Sequence, residues 1–368
     1  MALERPKLRA WQFAGLMTTY WCNARCPCCY VHGSPDRGGR LAPADAVAWW
    51  QQLDRVAAIV GRRVQIHVTG GEPFGDFEHL CSILSAVQQA GLGPVEKLET
   101  NAFWATDDDQ AAERLAAVRD WGVDSLVIST DIYHQQFVPI EAARRCERIG
   151  RQVFGDEHIH VRWPEELSEP SGLEVFAPRV GTGVSTTGGQ APGGTPTPSC
   201  LSLAEALRRA FGRHRERLTG RAAFEVAPLL NRRPPETFAR LRCKKALLKS
   251  RHVHVDPYGN VFPGTCSGII LGSARREPID AMWQRLSDQW DTDPVLRALV
   301  TGGPYALTQQ AIELGYEPLP GGYAGKCHLC THVRQWLRDH GCFPDTLGPA
   351  ECHLSPDGGP EAFRASGT

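Results

Sequence analysis

Four cysteines fall within eight residues, Cys22-Asn23-Ala24-Arg25-Cys26-Pro27-Cys28-Cys29. The start of the chain, Met1-Ala2-Leu3-Glu4-Arg5-Pro6, carries no apolar secretory stretch. Thiols this close in such a chain read as metal ligands rather than a disulfide framework. An all-thiolate set selects zinc, copper(I) or an iron–sulfur cluster. Cys22, Cys26 and Cys29 keep the spacing C-x3-C-x2-C; Cys22, Cys26 and Cys28 form the other register open to the sequence. The number three carries the chemistry. A cubane cluster takes four cysteines, so three leave one iron open to a substrate, just as an open position separates catalytic from structural zinc.

A second motif, Thr69-Gly70-Gly71-Glu72-Pro73, follows the β-branched alternation Arg63 to Val68, which reads as a strand. The glycine pair lets backbone approach a ligand, and Glu72 offers an acceptor for an ammonium group. In this order, each at a strand end and about forty residues apart, the two motifs resemble the radical S-adenosylmethionine (radical SAM) superfamily. The resemblance implies a [4Fe–4S] cluster on Cys22, Cys26 and Cys29. It places S-adenosyl-L-methionine at the open iron, with Gly70, Gly71, Glu72 and Pro73 around its methionine end. It further implies reductive cleavage to a 5′-deoxyadenosyl radical that takes a hydrogen from substrate, an oxidoreductase chemistry fed by a flavodoxin- or ferredoxin-type electron donor. Where the family has an aromatic residue before the third cysteine, this chain has Cys28, with Tyr30 just beyond Cys29.

Elements that could position these motifs alternate through the first half, which predicts an α/β fold, a partial TIM-type (β/α)6 barrel. Strands are expected at Leu16 to Tyr20, Arg63 to Val68, Pro94 to Thr100, Ser125 to Thr130, His158 to Arg162 and Ala223 to Pro228. Helices are expected from Pro43 to Gly61, Phe77 to Gly91, a Thr106 cap to Gly122, Pro139 to Gly150, and a Ser202–Glu205 capping box to Gly212. Function gathers at strand C-terminal ends in such barrels, where the cysteine loop, Gly70 to Pro73, Asn101 and Asp131 all fall. Asn101, Ser129 and Asp131 are candidates for ribose or carboxylate contacts. Tyr133 and His134 are candidates for proton or hydrogen exchange with substrate, although a Tyr–His pair in a loop can also be structural. Asn231, Arg232 and Arg233 could bind a carboxylate or phosphate, or stay solvated.

Cysteines return as Cys243, Cys266, Cys327, Cys330, Cys342 and Cys352. Val253 and Val255 alternate like a strand, and Asp256-Pro257-Tyr258-Gly259 is a type I turn, so Cys266 lies at the far end of a hairpin. Cys327-His328-Leu329-Cys330 is a knuckle followed by a helix bearing Val333, Trp336 and Leu337. This order resembles the SPASM and twitch extensions of radical SAM enzymes, a small cysteine-rich hairpin-plus-helix C-terminal domain. The resemblance implies an auxiliary [4Fe–4S] cluster on Cys243, Cys266, Cys327 and Cys330, with Cys342 able to replace one of them. By ligand type alone, a four-thiolate zinc site with His328 and His332 beside it is the alternative. A non-catalytic, zinc-stabilised binding protein is the reading from another class. Cys81, Cys146 and Cys200 read as buried small hydrophobes.

The expected organisation is a core of five βα units over 1–167, a Gly/Pro/Thr-rich insertion over 168–200, and the last helix and sixth strand over 201–240. An auxiliary-cluster domain over 241–345 and a polar tail over 346–368 follow. A net charge of −1 gives no basic surface for nucleic acid, and no apolar run approaches membrane-spanning length. Thirteen cysteines without a secretion signal point to the reducing cytoplasm. The substrate is expected to be a peptide or a small molecule.

Overall fold

The computed structural model describes residues 7–168, 203–214, 217–264 and 266–354. Nearly all of the insertion expected over 168–200, Ser202 of the capping box, and 355–368 of the tail lie outside these residues.

One eight-stranded sheet, ordered β5-β4-β3-β2-β1-β6-β7-β8, organises the chain. β1 (Phe13–Met17), β2 (Gln65–Thr69), β3 (Val95–Thr100), β4 (Val123–Ser129) and β5 (Ile159–Arg162) run parallel. The sixth parallel strand is β6 (His252–Val255), paired to the other edge of β1, and β7 (Asn260–Pro263) and β8 (Gly272–Ser273) continue antiparallel. β5 and β8 end the sheet, so the barrel is partial.

The expected strand at Ala223 to Pro228 is therefore a correction. Ala222–Glu225 is a helical turn and Ala227–Leu229 a 3-10 turn. The second edge of β1 is paired by Val253 and Val255 with their flanking histidines, while β5 stays an edge strand among the described residues. The alanine-rich stretch packs beside the cysteine loop instead. The hairpin turn Asp256–Gly259 forms as expected, closed by the Gly259 N–H on the Asp256 carbonyl at 2.9 Å, with Gly259 at φ +86°.

The two sheet faces differ in chemistry. Ala14, Leu16, Ile66, Val68, Leu98, Leu126, Ile128, Val253 and Val255 are buried on one. Against that apolar face pack helices Pro43–Ala58, Phe77–Gln89, Asp108–Asp120 and Ile140–Phe154 through Trp50, Leu53, Leu80, Ile83, Leu115 and Ile149. Each such side chain contributes about 1.5–3 kcal/mol on burial. His67, Thr69, Glu99, Ser129, Arg162 and His254 occupy the alternate positions. The period-2 geometry of a strand thus gives a dry face for helices and a polar face for a site.

Local corrections have local causes. Asp107, not Thr106, caps the third helix by accepting the Gln110 N–H at 2.8 Å. Helix Ile140–Phe154 runs through Gly150, where a Cβ would lie 2.9 Å from Ile159 Cδ1; this glycine permits close packing on β5 rather than a stop. Helix Leu203–His214 likewise continues past Gly212. Cys327 and Cys330 lie within the first two turns of helix Lys326–Asp339, not ahead of it. Residues 346–354, expected to begin a polar tail, dock on the core with Cys352 buried against Tyr20 and Phe262.

Candidate active site

Between β1 and helix Pro43–Ala58, the cysteine loop is held by bonds within it and from outside. The Cys22 N–H donates to the Ser34 carbonyl at 3.1 Å, and the Cys29 N–H to the Cys26 carbonyl at 3.0 Å. The main external tie is Arg221, buried at 5% exposure. Its guanidinium donates to the Cys26 and Gly33 carbonyls, each at 2.8 Å, and its backbone N–H donates to the Cys29 carbonyl at 2.9 Å. Gly220 precedes it at φ +57°, where a Cβ would lie 2.5 Å from Tyr30 Cα. No sequence signal marked Arg221, which lies two residues before the stretch read as a strand.

Donors point at two of the thiols. The Ala24 N–H and Asn101 Nδ2 reach Cys22 Sγ at 3.4 and 3.6 Å, and the Gly33 N–H reaches Cys29 Sγ at 3.2 Å. Burial pushes the Cys22 and Cys26 thiols up, with neighbouring acidic or thiol groups adding to it. Such thiols are inert unless a cation deprotonates them outright.

Gly70 and Gly71 explain the second motif sterically. A Cβ on Gly71 would lie 2.0 Å from the Trp21 carbonyl oxygen, and one on Gly70 2.7 Å from that of Thr19. The Gly71 N–H donates to the Thr19 carbonyl at 2.7 Å and the Glu72 N–H to the Trp21 carbonyl at 2.8 Å, which fastens the two motifs together. Glu72 is buried, and its carboxylate accepts from Thr100 Oγ1 at 2.8 Å, the Asn101 N–H at 2.6 Å and the Phe74 N–H at 3.2 Å. Desolvation pushes this carboxyl up to about 7, against those bonds. Its hydrogen bonds tie the end of β3 to the loop.

One open pocket, about 690 Å³ of space outside atoms, joins these parts. Cys22, Cys26, Cys28 and Cys29 line one side and Gly70, Gly71, Glu72, Asn101 and Ser129 another; His134, Tyr30, Glu99 and Arg162 complete it. Of the sequence candidates, Pro73, Asp131 and Tyr133 do not line it. Pro73 begins a buried 3-10 turn. Asp131 caps the turn Ile132–Gln135 and holds His134 Nδ1 at 2.8 Å. Burial would raise the Asp131 carboxyl, but His134 and Arg162 hold it below the usual carboxylate value. Tyr133 is 1% exposed among Ala206, Leu207 and Val226. Asn231, Arg232 and Arg233 are exposed away from the pocket. Tyr30, Glu99 and Arg162 were missed as site residues; Glu99 and Arg162 share the inward parity of the strand ends, the one signal that could have found them.

A second cavity, about 390 Å³, is lined by Cys243, Cys266, Cys327 and Cys330, with Arg217, Lys326 and Arg334 around it. Cys342 is not among its lining residues. Burial pushes the Cys243 and Cys266 thiols up, and burial pushes Cys327 up to about 11, while the neighbouring Lys326 acts the other way.

Spacing bears on what either set can hold. Two sulfurs on one zinc ion, each bonded at about 2.3 Å, stand at most about 4.6 Å apart. Among the described residues, the groups of three ligand atoms within 4.8 Å of one another are His67, His252, His254 and Cys28, Asp131, His134. Neither cysteine set brings three sulfurs within that distance.

Residues 16–153 match the family model described as the Radical SAM superfamily. Among solved structures, that of BtrN in complex with AdoMet and 2-DOIA is 12% identical, with a TM-score of 0.43, covering 80% of this chain and 89% of that one. Native anSMEcpe with bound AdoMet and Cp18Cys peptide is 13% identical, with a TM-score of 0.40, covering 89% and 97%. No relative among curated proteins matches the chain.

Proposed function

We propose, from the premise that residues 16–153 are a radical SAM domain and the chain a radical SAM enzyme, that it reductively cleaves S-adenosylmethionine and takes a hydrogen from an organic substrate. The observation that carries the reading is the single pocket onto which Cys22, Cys26, Cys29, Gly70 and Gly71 all open. Cys22, Cys26 and Cys29 would hold a [4Fe–4S] cluster, and donors already aimed at Cys22 and Cys29 suit thiolate ligands. Gly70 and Gly71, with no side chains to obstruct them, would leave their backbone open to the methionine end of the nucleotide. When bound, cluster and nucleotide supply one-electron cleavage chemistry.

The chain's own part is positioning. Arg221 and Glu72 keep the two motifs in register, and Asn101 bridges them by donating to Asn23 Oδ1 at 2.8 Å. His134, with Nδ1 committed to Asp131, keeps its other ring nitrogen for proton exchange on the pocket side. Tyr133 is not proposed for this role.

An auxiliary [4Fe–4S] cluster on Cys243, Cys266, Cys327 and Cys330 is part of the same reading, supported by their shared cavity. Arg217, Lys326 and Arg334 would balance its thiolate charge. A flavodoxin- or ferredoxin-type protein is the electron donor this requires. Among the described residues no helix is long and apolar enough to cross a membrane.

The test is anaerobic reconstitution followed by iron and sulfide counts and an assay for 5′-deoxyadenosine with dithionite. About eight iron and eight sulfide per chain and turnover lost in Cys22→Ala are expected. Protein that binds zinc at Cys22, or never cleaves the nucleotide when reduced, refutes the reading.

A further inference from the structure

Two residues back along β2 from the pocket-lining Thr69 stands His67, on the same face of the sheet. Across β1, at the register position of Gly15, stands His254 of β6, and His252 shares its face. Gly15 lets the rings meet: a Cβ there would lie 2.2 Å from His254 Cδ2 and 2.6 Å from His67 Nε2. The three imidazoles bring ring nitrogens within 4.8 Å of one another, and His67 Nε2 is 3.3 Å from His254 Nε2. Imidazole binds zinc at about 2.0–2.1 Å, so two nitrogens on a tetrahedral ion stand about 3.3–3.4 Å apart.

Proton bookkeeping points the same way. His254 Nδ1 lies 2.9 Å from the Gly264 carbonyl, which can only accept, so the proton sits on Nδ1 and Nε2 is a bare lone pair. That is the second-shell arrangement of a metal-binding histidine. Two groups crowd this one lone pair: the Tyr30 hydroxyl at 3.2 Å and His67 Nε2 at 3.3 Å. His252 Nε2 is buried with no hydrogen-bond partner. The carboxylate of Glu99, tied at Oε2 by the Thr69 hydroxyl at 2.8 Å, brings Oε1 to 3.8 Å from His67 Nε2.

We propose that His67, His252 and His254 bind one Zn²⁺ ion behind the pocket wall, with the Glu99 carboxylate as its nearest fourth donor. The site is separate from both cysteine sets, and Tyr30 and Glu99 connect it to the pocket wall. Imidazole with carboxylate suits zinc, and the Glu99 carboxylate would offset part of the ion's charge.

Holoprotein purified without oxygen is supplied with ZnCl2, desalted, and counted for zinc and iron, and its zinc-edge X-ray absorption is recorded. About one zinc per chain with nitrogen and oxygen neighbours is expected, retained in Cys22→Ala and Cys327→Ala and lost from His252→Gln and His254→Gln. His252→Gln forfeits no hydrogen bond at Nε2, and unchanged iron in it reports an intact fold. Absence of retained zinc, zinc that survives both histidine substitutions, or sulfur neighbours in the edge spectrum overturns the proposal. The wild-type count and spectrum decide the matter even if a variant fails to fold. Iron and 5′-deoxyadenosine read on the same sample keep this outcome apart from that of the radical chemistry.

Discussion

Arg221→Ala probes how the cysteine loop is kept ready. The side chain is buried, and its removal strands two carbonyls, those of Cys26 and Gly33, that it now satisfies at 2.8 Å each. An unsatisfied buried acceptor costs about 1–3 kcal/mol, so the loop loses about 2–6 kcal/mol before any water enters. At about 1.4 kcal/mol per tenfold, even the low end shifts the loop about 30-fold away from its cluster-holding shape. The sheet and its helices do not depend on these two bonds, so the variant should fold. Iron in Arg221→Ala should fall to about half of wild type, because the loop cluster goes and the cluster at Cys327 stays. Nucleotide cleavage should drop by at least about 30-fold. Arg221→Lys should recover only part, since one ammonium cannot fork to two carbonyls. Full iron and wild-type turnover in Arg221→Ala would show that the loop holds its shape without this residue.

Other substitutions separate contact from sequence motif. Gly71→Ala places a methyl group against the Trp21 carbonyl, 2.0 Å from its oxygen, and should abolish nucleotide binding while the melting temperature reports a still-folded core. Cys327→Ser should halve the iron content and Cys342→Ser should leave it unchanged, because only the first lines the second cavity; equal losses in iron assays would contradict that division. Tyr133→Phe should keep turnover within about twofold and alter stability by no more than about 1.5 kcal/mol, as measured by denaturant unfolding, because its ring is packed away from the pocket.

Much of the architecture was legible as pattern. Alternation in Arg63 to Val68 marked a strand because a half-buried strand must alternate its faces. Pro43 and the residues after it marked a helix for a similar reason, with Trp50 and Leu53 on the buried stripe. The two motifs announced themselves because thiolate spacing and paired glycines are local requirements of the chemistry and the backbone. The four cysteines from Cys243 to Cys330 were also grouped from their order, although nothing local brings them to one cavity.

What the sequence determined by itself, then, was whatever a short stretch must satisfy alone: ligand type, turn chemistry and period. Which stretch joins the sheet was decided only in three dimensions. Ala223 to Pro228 is compatible with a strand, but His252–Val255 is the stretch that pairs with β1. The partner of a buried charge was decided there too. Arg221 reaches a loop nearly two hundred residues earlier, and no periodicity records such a contact. Gly15 shows both sides: its lack of a side chain is written in the chain, yet its purpose, room for His67 and His254 to meet, exists only once β2 and β6 flank it.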